Sequence, residues 1–192
     1  MGTAKPTLQG YLSGQLLIAT PQIQDPRFSR AVIYMCAHGP EGAMGLVVNR
    51  RVGIAPLPDL LAQLGIDATA DGLEIGLYCG GPVEAERGFV LHSADYHQDS
   101  TLQIDAKIAL TASAEILRDI AEGRGPRKSM VALGYAGWGP GQLEMEICGN
   151  GWLHASADED LLFDETLTTK WEAAMAKIGV DWSNLSGDIG NA

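Results

Sequence analysis

Ala31-Val32-Ile33-Tyr34-Met35-Cys36-Ala37, followed by His38-Gly39-Pro40-Glu41-Gly42 and then Met44-Gly45-Leu46-Val47-Val48-Asn49, is the run from which the architecture follows. The outer pieces are short, apolar and partly β-branched, which predicts buried strands rather than helices. The middle piece is turn chemistry. Two strands joined by so short a connection pair antiparallel, because a parallel pair needs a long crossover.

Working outward, Leu16–Ala19 reads as a strand closed by Pro21, and Asp25–Phe28 as a turn carrying Pro26. Downstream, Pro58–Leu64 reads as a short helix, with Pro58 in its first turn and Gly65 ending it. Ile75–Cys79 and Gly88–His92 are expected strands, and Thr101–Ile104 with Lys107–Leu110 a further strand pair. Ser113 is the expected N-cap of a helix carrying Ile116, Leu117 and Ile120 on one stripe. Met130–Leu133 is a strand running into the glycine-dense Gly134–Gly141, after which Gln142–Ile147 opens a helix. Trp152–Ala155 is a strand. The clearest helix is the last, with Leu167, Trp171, Ala174 and Ile178 at helical spacing, Gly179 as its stop, and Asp158, Glu159, Asp160, Asp164 and Glu165 ahead of it to complement its N-terminus. Strands and helices interleave without strict βαβ order. That predicts an α+β fold with a mixed, mainly antiparallel sheet.

Composition bounds the function. The 192 residues are expected to form one domain over 1–192, with residues 1–9 and 187–192 frayed. A net charge of −11 and scattered basic residues disfavour direct nucleic-acid binding. The densest basic group is Arg124, Arg127 and Lys128. Cys36, Cys79 and Cys148 are odd in number, form no CxxC, and are expected as buried thiols in apolar surroundings. No apolar run suits a leader or a membrane span, so a cytoplasmic protein without membrane attachment is expected.

The strand leading into Gly134–Gly141 is one way to present backbone N–H groups to an anion, with Tyr135 and Trp138 as a flat wall. The plainer alternative is a tight turn with its aromatics in the core. Gly80-Gly81-Pro82 also follows a strand, and Arg87 adds a positive charge nearby. The candidate ligand residues are therefore Gly80, Gly81, Arg87, Tyr135, Gly137, Trp138, Gly139 and Gln142. His92, Asp95, His97 and Asp99 are metal-ligand types, but their spacing matches no established site, and solvated loop residues are the expectation. His38 is an acid–base candidate without an accompanying nucleophile elbow, and a hydrogen-bonded structural role is expected for it.

Several stretches taken together resemble the bacterial YqgE/AlgH family. They are Gly14–Pro21, Asp25–Phe28, His38 with Gly42–Asn49, Gly80–Val83, Gly88–His92, Ala132–Gly139 with Gln142-Leu143-Glu144 and Glu146, Trp152-Leu153, and Lys170-Trp171. The resemblance spans about Gly10 to Asn184. It implies a bifurcated sheet curled into a pseudo-barrel with packed helices. The family is largely uncharacterised, and one branch carries a label of transcriptional regulator in alginate synthesis, which fits poorly with the charge. It supplies no agreed catalytic residues. The expectation is thus a non-catalytic regulatory or adaptor protein binding an unknown small ligand or protein partner, with no cofactor and no metal. The alternative is an enzyme acting on an anionic small molecule at residues 80–82 and 134–141.

Overall fold

A computed structural model describes residues 11–67 and 72–180, so the expected fraying of the two ends lies outside the described residues. The run that opens the sequence reading forms β2 (Val32–Gly39) and β3 (Gly42–Val47), an antiparallel hairpin with Tyr34 opposite Leu46 and Ile33 opposite Val47. β1 (Gln15–Ala19) pairs antiparallel with β2 on one side and with β10 (Trp152–Ser156) on the other. β4 (Arg51–Pro56) leads into α1 (Leu57–Gln63), and β5 (Glu74–Cys79) returns against β4. β6 (Val83–Ser93), β7 (Thr101–Gln103) and β8 (Ile108–Thr111) make the far side of the sheet, ending at β7. α2 (Glu115–Ala121), β9 (Ser129–Trp138), α3 (Gln142–Cys148), α4 (Glu159–Phe163) and α5 (Lys170–Lys177) complete the fold.

The sheet forks at β9. Its first half, Val131–Leu133, pairs in parallel with β5, and on the same edge its second half, Ala136–Trp138, pairs antiparallel with β3. Its other edge carries β6 from Ser129 to Tyr135. The hinge is Gly134, at φ +74°, where a left-handed backbone shifts the strand from one partner to the other. The Gly80 N–H donates to the Leu133 carbonyl and the Gly80 carbonyl accepts from Val47, so the end of β5 hands over to β3. β5–β9 is the parallel pairing among the described strands and the others are antiparallel, as the sequence reading expects.

The apolar runs are buried on both faces. One face puts Leu16, Ile18, Val32, Tyr34 and Leu46 in the main core, where Leu162, Trp171, Ala174 and Met175 cover it. The opposite face puts Leu17, Ile33, Met35 and Val47 under Leu143, Trp138 and Trp152. A third cluster joins Leu57 and Leu61 to Ile116 and Leu117. The sheet curls so that the β7–β8 turn reaches β2, where the Tyr34 hydroxyl donates to Asp105 Oδ2 at 3.0 Å. Asp105 Oδ1 accepts from the Lys107 and Ile108 amides, which fixes that turn. The result is the curled, pseudo-barrel α+β architecture.

Five readings need correction. The turn expected over Gly134–Gly141 is strand as far as Trp138, because β6 pairs with Tyr135 and β3 with Ala136–Trp138; the turn proper is Gly139-Pro140-Gly141. β4 escapes the reading because its apolar residues face outward: Val52 is 61% and Ile54 58% exposed. Asp158, Glu159 and Asp160 serve α4, an extra helix, rather than α5. Asp158 caps α4 by accepting from the Leu161 amide at 2.8 Å. Of the three cysteines only Cys36 is buried; Cys148 is exposed, one position past Ile147, which packs on the core. The expected helix cap is displaced by one residue: the Ser113 hydroxyl accepts from the Glu115 amide, and Ala114 precedes the first turn. Among the described residues no helix is long and apolar enough to cross a membrane.

Candidate functional site

The two glycine stretches meet in space, for a mechanical reason. A Cβ on Gly80 would lie 2.3 Å from the Gly134 carbonyl oxygen, and one on Gly81 2.1 Å from the Tyr135 carbonyl carbon. The backbones cross in direct contact, which only glycine permits. Gly80 and Gly81 therefore face a strand rather than an open anion cradle.

Trp138, Gly139 and Gln142 form a second constellation. Glu146 Oε2 accepts from the indole N–H of Trp138 at 2.8 Å and of Trp152 at 2.9 Å. Gln142 Oε1 accepts from the Gly139 amide, while its Nε2 donates to Glu146 Oε1. The two indoles meet edge to face at 5.9 Å. One carboxylate thus satisfies two indole donors and joins β9, α3 and β10.

Arg87 and Tyr135 point elsewhere. Between Val83↔Tyr135 and Gly88↔Leu133, β6 carries Glu84–Arg87 against Gly134 alone, a wide bulge with Glu84 at φ +47°. The bulge lifts Arg87 clear of the sheet, and its guanidinium lies over the Phe89 ring at 5.1 Å. Phe89 in turn meets Tyr135 edge to face at 5.9 Å. The Arg87 to Glu84 contact is 3.3 Å between two half-exposed side chains, a weak tether.

This row forms one wall of an open cleft of about 1160 Å³ at the mouth of the curled sheet. The tip of the β2–β3 hairpin and the β7–β8 pair form the others, bringing in Met44, Glu41, Leu102 and Leu110. Arg87, Tyr135, Gly137 and Trp138 border the cleft; Gly80, Gly81, Gly139 and Gln142 do not. Sequence reasoning missed Met44, Phe89 and Leu102. Phe89 carried a signal, two residues after Arg87 at the start of the expected strand Gly88–His92, but Met44 and Leu102 join it only through the curl.

The titratable groups nearby are engaged. His38 Nδ1 accepts from the Leu12 amide at 3.0 Å, so its Nε2–H donates to Glu144 at 2.8 Å. The Glu144 carboxyl is held below the usual carboxylate range, first by its own backbone N–H in the opening turn of α3 and then by His38. Burial pushes the Cys36 thiol up to about 12, which keeps it protonated near neutrality. His92 is buried: its Nδ1–H donates to the Ser93 carbonyl and its Nε2 accepts from Thr111, and burial lowers its pKa. Asp95 accepts from Ser93 and from the Arg127 amide. Among the described residues no group of three or more His, Cys, Asp or Glu is placed to hold a metal ion. Arg124, Arg127 and Lys128 are paired with Asp119, Glu159 and Asp160.

Comparison with known proteins agrees with this architecture. The AlgH-like family model matches residues 16–183. A UPF0301 protein of Afipia carboxidovorans is 54% identical over 190 residues, covering 95% of this chain and 90% of that protein. One from Bradyrhizobium diazoefficiens is 49% identical over 199 residues, covering 100% and 93%. The solution structure of the AlgH protein from Pseudomonas aeruginosa superposes with a TM-score of 0.77 at 42% identity, covering all of both chains. A Corynebacterium diphtheriae protein shares the fold at a TM-score of 0.66 and 21% identity, covering 91% and 88%. With its forked, curled sheet and these relatives, the chain belongs to the AlgH-like family of UPF0301 proteins.

Proposed function

We propose that this is a non-catalytic binding protein, regulatory or adaptor in role, whose cleft takes an anionic group carried on an apolar body. The observation that carries the reading is the row of Arg87 over Phe89 against Tyr135 along the cleft wall. A weakly tethered guanidinium offers paired donors to a carboxylate or phosphate. The rings and Met44 beside it receive apolar surface. The engaged imidazoles and the protonated Cys36 support binding rather than turnover. The close glycine crossing removes the cradle on which an enzyme at residues 80–82 and 134–141 would rely.

The test is a panel of phenylacetate, phenyl phosphate, adenosine monophosphate and the peptide acetyl-Val-Asp-Val-amide, followed by NMR and thermal unfolding. A binding member shifts Met44, Phe89 and Tyr135 resonances. At a hundred times its Kd it stabilises by about 2.7 kcal/mol, and the effect is lost in Arg87→Ala. No shift with any member overturns the site, and steady turnover of one overturns the non-catalytic role.

A further inference from the structure

The cleft's far wall is a strand edge. β7 ends the sheet and pairs only with β8 among the described strands. The Ile104 amide donates to the Ile108 carbonyl at 3.0 Å, so Ile104 and Ile108 are a hydrogen-bonded pair. Antiparallel pairs alternate, which makes Leu102↔Leu110 the next bonded pair and turns the polar groups of Thr101 and Gln103 away from β8. The Thr101 amide is taken by the Gln98 carbonyl. The Gln103 amide, the Gln103 carbonyl and the Thr101 carbonyl are left on the outer edge.

That edge opens into the cleft. Leu102 and Gln103 are neighbours in a strand, so their side chains leave opposite faces. Both nevertheless line the cleft, which must therefore wrap around the edge. Leu102 is 51% exposed and Val83 36%, an apolar rim to either side. The volume of about 1160 Å³ exceeds the range of roughly 300–1,000 Å³ usual for small-molecule sites. Among the described residues that line the cleft, the lysine or arginine is Arg87, tethered only weakly to Glu84 at 3.3 Å, in a chain of net charge −11.

Building on the binding role above, we propose that the occupant is an extended polypeptide segment that adds as a strand to the free edge of β7 and lays an acidic side chain on Arg87. Main-chain hydrogen bonds to Gln103 and Thr101 supply register, and alternate apolar side chains enter toward Met44, Phe89 and Leu110. The acidic residue sets specificity, since a basic one there meets Arg87 as a like charge.

The experiment uses the full chain and an immobilised hexapeptide library with Val fixed at the first and third positions and all residues varied at the other four. Asp or Glu should be enriched at one varied position. In Arg87→Glu, an exposed substitution whose fold is checked by its unfolding temperature, the preference should reverse to Lys or Arg. N-methylating the selected peptide on the edge-facing amide should weaken it about tenfold or more. No enrichment, an unchanged preference in Arg87→Glu, or full tolerance of N-methylation overturns the inference. If phenylacetate shifts Phe89 and Tyr135 while no peptide binds, the cleft remains a small-anion site and the peptide inference alone falls. If neither binds, both fall.

Discussion

Lys170 carries an ammonium group into the core. It is 1% exposed, and its ammonium donates to the carbonyls of Val48 and Leu162, both at 3.0 Å. Burial lowers its pKa to about 8 from 10.5. Between those values the unfolded chain binds the proton that the folded chain releases. Stability from this group therefore rises as pH goes from 8 toward 10.5, and below 8 the full cost is present. Cys36 and Tyr34, both raised by burial, pull the other way in alkali. The measurement is thus a difference: urea unfolding of the protein against Lys170→Met at pH 7.5 and 10. The wild type should gain on the variant by up to about 3 kcal/mol across that interval. An unchanged difference would mean that the Lys170 ammonium stays charged in the folded chain as far as it does in the unfolded one, so that burial does not lower its pKa.

At the scale of elements, the glycine crossing shows what was legible in the sequence and what was not. Gly80-Gly81 and Gly134 stand out as dense glycine, and the sequence offers both stretches as ligand candidates without saying whether they meet. Their contact is a fact of pairing between β5, β6 and β9, invisible until register is known. The hairpin β2–β3 was legible because its apolar runs and turn are contiguous, whereas β4 was not because tertiary placement turns Val52 and Ile54 outward. Gly134→Ala tests the crossing. At φ +74° its Cβ would sit 2.4 Å from the Gly81 carbonyl oxygen, so two backbones must part. The expected loss is about 3 kcal/mol or more in denaturant unfolding. A loss within about 0.5 kcal/mol would show that β9 accommodates a side chain there.

For the whole molecule, Tyr34 and Asp105 hold the curl, because they join β2 to the turn between β7 and β8. Removing the hydroxyl leaves Asp105 with its two amide donors but breaks the link across the sheet. Tyr34→Phe should cost about 1.5–3 kcal/mol in unfolding free energy. Amide exchange should quicken at Ile108 and in β7, while the β1–β10 pair keeps its protection. Equal exchange in both chains would mean that packing alone closes the cleft. The cleft itself was the least legible part of the sequence, since Met44, Phe89 and Leu102 sit on three separate strands that only this closure brings together. The fork at β9 has a consequence for the chain as it leaves the ribosome. β3, β5 and β6 each have two neighbours, and for every one of them the second neighbour is β9. Until Ser129–Trp138 has been synthesised, all three wait with an open edge and apolar surface uncovered. The nascent chain therefore cannot complete its sheet in order of synthesis, and those edges stay open to wrong pairing until β9 is made.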